Sequence, residues 1–132
     1  MLKWHDSHGM WNYLDRLLRS PEPSVDIHIA GHSFGGWRAA SMCWMLSAKS
    51  EPVATLCLAD AVGREPLFSD IDIPPNVRTL HAWRQTRGKI RGSRLTPHQP
   101  TYWATNEFVD RPHAKVDEAM VESGILHKLL AS

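Results

Sequence analysis

A chain of 132 residues is the size of one domain, and residues 1–132 are read as a single domain. Hydrophobic residues make up 42% and charged residues 22%, a globular balance that excludes a disordered chain. Lys and Arg total 15 against 14 Asp and Glu, a net charge of +1, so nucleic acid is not expected as a partner.

The opening residues, Met1-Leu2-Lys3-Trp4-His5-Asp6, lack the basic-then-apolar pattern of a secretory signal, which points to the cytoplasm. Gly9 to Arg19 carries Met10, Tyr13, Leu14, Leu17 and Leu18 at helical spacing, with Asp6 or Ser7 placed to cap it and Pro21 and Pro23 to stop it. Val25 to Ala30 reads as a strand. A turn rich in glycine follows at 31–36, then a helix from Arg38 to Ala48 with Ala39, Met42, Cys43 and Leu46 on one face. Val53 to Ala59 is almost continuously apolar, as expected of a strand covered on both faces, and Asp60 stands at its end. Residues 61–75 read as irregular, Val77 to Trp83 as a third strand, and 84–107 as a long polar loop. Val116 to Leu130 reads as a last helix, with Gly124 a weak point. No apolar run approaches the ~20 residues of a membrane span. Cys43 and Cys57 lie in apolar stretches and read as buried thiols in a reducing compartment.

This order predicts an α/β domain with a mainly parallel sheet of three strands or slightly more, flanked by helices. Reactive groups in such sheets gather at the carboxyl ends of the strands, where Ser33 and Asp60 both fall.

Gly31-His32-Ser33-Phe34-Gly35 is a G-x-S-x-G pattern, followed by Gly36. Placed between a strand and a helix, it forces a sharp turn that holds the serine hydroxyl outward. The glycines keep Cβ atoms out of the turn, and the Phe34 amide at the helix start is placed as an oxyanion donor. A serine needs a base, and histidine is the usual one; a carboxylate on the other ring nitrogen orients it. Asp60 has the right address for the acid, with Asp70 and Asp72 as rivals. Among eight histidines, His113 sits in a loop before the last helix. His98 is its rival, while His28, His81 and His127 read as structural or surface residues.

These residues resemble the α/β-hydrolase superfamily, and within it the small lipases and esterases. The likeness rests on Gly31 to Gly36, on the strand ending in Asp60-Ala61-Val62, on Ile73-Pro74-Pro75-Asn76-Val77 and on His113-Ala114-Lys115-Val116-Asp117. It implies a Ser33, Asp60, His113 triad, in the chain order of that superfamily, and ester or lipid substrates. It also implies a reduced core without the usual N-terminal strands, because only 32 residues precede Ser33. A second oxyanion donor would then come from the His5 to Gly9 stretch, at Gly9. His32 and Trp37 are placed to line a substrate pocket.

A short parallel sheet leaves the elbow strand at an open edge, which predicts a homo-oligomer that covers it. No cofactor is implied, and His5 and His8 lack the companions of a zinc site, so no metal is expected. Three other functions fit parts of the pattern. One is a thioesterase or acyltransferase. Another is a non-catalytic hydrolase fragment or interaction module. The third binds an anionic partner through the basic run Arg84, Arg87, Lys89, Arg91 and Arg94.

Overall fold

The computed structural model describes residues 26–86, 88, 90–98 and 101–131. The expected helix at Gly9 to Arg19, its caps at Asp6 and Ser7, the His5 and His8 pair and the expected oxyanion donor Gly9 lie outside the described residues.

The elements in chain order are β1 (His28–His32), α1 (Phe34–Ala48), β2 (Val53–Ala59), β3 (Ile71–Ile73), β4 (Val77–Arg84), β5 (Leu95–Pro97), β6 (Tyr102–Phe108), a 3-10 turn (His113–Lys115), α2 (Val116–Glu122) and α3 (Ile125–Ala131). Four strands form one sheet in the order β1-β2-β4-β6, and every pairing in it is parallel. β3 and β5 form a separate parallel pair. The fold is therefore α/β, with a parallel sheet flanked by helices.

β2 explains how the two layers arise. Its side chains alternate between faces. Leu56 and Leu58 join Ala39, Ala40, Met42, Cys43 and Leu46 of α1 in one buried cluster. Cys57 and Ala59 point the other way and pack with Trp83, Val116 and Met120 beneath α2. A strand buried on both faces must be apolar nearly throughout, which is the composition of Val53–Ala59. Among the described residues β1 has a single strand neighbour, β2, and His28 and Ala30 on it are exposed.

Four expectations need correction. The 84–107 segment is not one long loop: it contains β5 and β6, and β6 extends the sheet to four strands. β6 has no apolar run because it is an exposed edge, with Tyr102 at 72% and Phe108 at 64% exposure, and it needs only one partner, β4. The 61–75 segment holds β3, three residues long and paired to β5. The last helix is two helices, divided where Gly124 takes φ +79°. Finally, α1 begins at Phe34 rather than Arg38, so Gly35 and Gly36 belong to its first turn while Gly31 lies in β1.

The register brings the site together. His32 is level with Ala59, and Ala59 with Trp83. The residues immediately after these positions, Ser33, Asp60 and Arg84 with Gln85, therefore emerge side by side at the carboxyl edge of the sheet.

Candidate active site

The turn at Ser33 is built by close approach. Ser33 has φ 57° and ψ −125°, a conformation that costs a non-glycine residue about 1–3 kcal/mol. Its neighbours hold it there. Its amide donates to Ala59 O at 3.1 Å, and its carbonyl accepts from Gly36 N at 3.0 Å and Val62 N at 2.9 Å. A Cβ on Gly31 would lie 2.3 Å from the Gly35 carbonyl oxygen, and one on Gly36 would lie 2.4 Å from Ala61 Cβ. Neither position admits a side chain without displacing backbone, so the chain turns here only with glycine.

The hydroxyl so presented meets His113. Ser33 Oγ lies 2.8 Å from His113 Nε2, and His113 Nδ1 lies 2.6 Å from Asp60 Oδ2. A carboxylate accepts only, so Nδ1 carries the proton and Nε2 is free to accept from the hydroxyl. The imidazole side chain is 15% exposed and the Asp60 side chain fully buried. His113 opens the 3-10 turn, which is preceded by Pro112 at φ −65°. Arg111 ties that turn to α2 through Glu122 and, at 3.7 Å, Glu118. This pairing pulls the Glu122 carboxyl below its usual range and pushes the Arg111 guanidinium up.

Asp60 is the most heavily coordinated group of the site. Besides His113, its Oδ2 accepts from Gln85 Nε2 at 3.0 Å. Its Oδ1 accepts from Gly92 N at 2.9 Å and from Gln85 N at 3.3 Å. All the partners are donors, as a buried acceptor-only group requires. Sequence reasoning missed Gln85 and Gly92. A lone glutamine has no chemical signature, and only the sheet register, which sets Arg84 level with Ser33 and Asp60, brings the next residue, Gln85, to the carboxylate.

His32 lies beside His113. Its Nε2 lies 2.8 Å from the His113 carbonyl oxygen, and the two rings are 5.3 Å apart. A carbonyl accepts, so Nε2–H donates and His32 braces the backbone of the turn that carries His113. Trp37 lies on α1, partly buried against the core. Phe34 is the first residue of α1, and its amide is among those a helix leaves without an intrahelical acceptor. Its ring lies 5.8 Å from the Arg64 guanidinium.

The rival residues lie elsewhere. Asp70 pairs with Arg94 at 3.6 Å, and Asp72 with His98 at 3.6 Å. His81 bonds Thr105 Oγ1 at 2.7 Å and stacks on Trp83, and burial lowers its pKa. The basic run is partly engaged within the chain. Arg84 bonds Asn106 and lies over the Trp103 and Phe108 rings, while Arg91 donates to Gly88 O at 3.1 Å. Burial lowers the Arg84 pKa, opposed by the charge of Asp60. Arg87 and Lys89 lie outside the described residues.

Cys43 and Cys57 are free, buried thiols. Among the described residues no group of three His, Cys, Asp or Glu is placed to hold a metal ion, and no helix is long and apolar enough to cross a membrane. A cleft of about 470 Å³ opens beside Trp83, Thr105, Glu122 and Ile125, among residues that include none of Ser33, His113 and Asp60.

No family model, curated protein or solved structure matches this chain.

Proposed function

We propose that the chain is a serine hydrolase of carboxylic esters, of the lipase and esterase type, built on a reduced α/β-hydrolase core. One observation carries the reading: the unbroken relay from Ser33 Oγ through His113 to Asp60, at 2.8 and 2.6 Å, between residues 80 and 53 positions apart in the chain. The strained backbone of Ser33, at φ 57°, supports it, since such strain at a strand-to-helix turn is what holds a nucleophile outward.

In the reaction, Ser33 Oγ attacks the acyl carbon while His113 Nε2 accepts the hydroxyl proton. The carbonyl π pair moves to oxygen, and the Phe34 N–H stabilises that oxyanion. Collapse expels the alkoxide, which takes the proton from His113, and leaves the acyl group on Ser33. Water then attacks the acyl-enzyme with His113 again the base, releasing the acid and restoring the hydroxyl. Asp60 stays ionised and stabilises the imidazolium formed in each half.

A fluorophosphonate probe tests the reading, because it forms a stable bond only with an activated serine. Labelling of the wild-type chain that disappears in Ser33→Ala and His113→Ala is expected, together with turnover of p-nitrophenyl esters. Absence of both labelling and turnover in the wild-type chain overturns it.

A further inference from the structure

We propose that Gln85 is a positioning residue for the reaction: its carboxamide and backbone hold the Asp60 carboxylate in line with His113. The inference rests on the serine hydrolase reading above.

Gln85 is 2% exposed. Its amide group is fully committed. Nε2 donates to Asp60 Oδ2 at 3.0 Å and to Ile90 O at 2.6 Å, and Oε1 accepts from Gly88 N at 2.9 Å. Two donors and an acceptor are each used, and only an amide of this length supplies that set. The side chain therefore fastens the segment after β4 into a loop, and that loop returns Gly92 to Asp60. Gly92 N donates to Oδ1 at 2.9 Å, and a Cβ there would lie 2.5 Å from Oδ1, so the backbone packs directly on the carboxylate. The loop is then pinned beyond the site, where Ser93 N donates to Ala61 O at 2.7 Å and Ser93 Oγ accepts from Gly63 N at 2.8 Å.

The chemical consequence lies at Oδ2. That one oxygen accepts both from Gln85 Nε2 and from His113 Nδ1. The amide donor fixes its direction and draws off part of its charge. Remove the donor, and more of the carboxylate's charge is available to the imidazolium, but with less control over where the oxygen sits. Among the described residues, the other charged or titratable groups facing this centre are Arg84, whose charge Asp60 supports, and His32 beside the His113 ring.

The test uses the full chain with Gln85→Glu, which keeps the shape but sets a second carboxylate against Asp60, and Gln85→Met, which removes the amide without adding charge. Three quantities are read: kcat and KM for p-nitrophenyl butyrate, the acid limb of the pH–rate profile, and the NMR titration midpoint of the His113 ring. In Gln85→Glu, kcat is expected to fall about 10–100-fold with KM within twofold, and the midpoint and acid limb to move up by about one pH unit. Gln85→Met is expected to move the midpoint in the same direction by less. A purely structural role would lower the fraction of folded chain without moving the midpoint of the folded fraction. If the wild-type chain labels with fluorophosphonate, yet both folded variants keep its midpoint and kcat, this inference falls and the hydrolase reading stands. If the wild-type chain neither labels nor turns over ester, the reading falls and takes the inference with it.

Discussion

Asp60 is surrounded by donors, and this decides what replaces it. An asparagine of the same shape must turn an NH2 toward one of the N–H groups that now converge on the carboxylate. On the proposed hydrolase reading, Asp60→Asn is therefore expected to lower kcat by about 10⁴. It should also lose about 1–3 kcal/mol of stability in urea unfolding, where a surface asparagine substitution would lose almost nothing. The two thiols make a second residue-scale prediction. Burial pushes Cys43 and Cys57 up to about 12, so at pH 8 almost no thiolate exists in the folded chain. Iodoacetamide at that pH should modify neither in the native protein and both in denaturant. Rapid native labelling of either would contradict its burial. The Ser33 motif was legible at this scale because its residue types are tied to one backbone shape. Gln85 was not, because its role arises from where the sheet register places it.

At the scale of elements, legibility followed burial. β2 is apolar nearly throughout because both faces are covered, and its bounds were read as Val53 to Ala59, as the structure has them. β6 escaped because an edge strand with one face in solvent needs few apolar residues, and β3 and β5, at three residues each, are too short to show a period. Gly124 was marked as a weak point, and the structure explains it by a positive φ of 79° rather than by crowding, since nothing lies within 4 Å of a Cβ built there. Gly124→Ala should therefore cost about 1–2 kcal/mol through backbone strain alone. A thermal midpoint lowered by a few degrees is the expected result; an unchanged or raised midpoint would mean that α2 and α3 prefer to join.

For the whole molecule, stability should be bounded on both sides in pH. Burial lowers His81 from its ordinary value of 6.5, so the folded state disfavours its charged form. The unfolded chain then binds more protons as pH falls below about 6.5, and stability is lost in that direction. Burial raises Cys43 and Cys57 from 9.0 to about 12, so above pH 9 the unfolded chain releases protons that the folded chain keeps, and stability is lost as pH rises toward 12. Chemical denaturation across this range should show a plateau between the two limbs. Cys57→Ala should flatten the alkaline limb, and an alkaline slope unchanged by Cys43→Ala and Cys57→Ala together would refute the assignment.

The tight turn from Arg64 to Leu67, closed by an antiparallel bridge and exposed along its length, lies between Asp60 and His113 in the chain. A single protease cut there would part Ser33 and Asp60 from His113 while leaving β2 and β4 zipped together by their shared register. On the hydrolase reading proposed above, the nicked protein should keep its ester turnover until denaturant separates its halves, and two independently expressed pieces should regain it when mixed, a complementation that would tie catalysis to the docking of one strand on another.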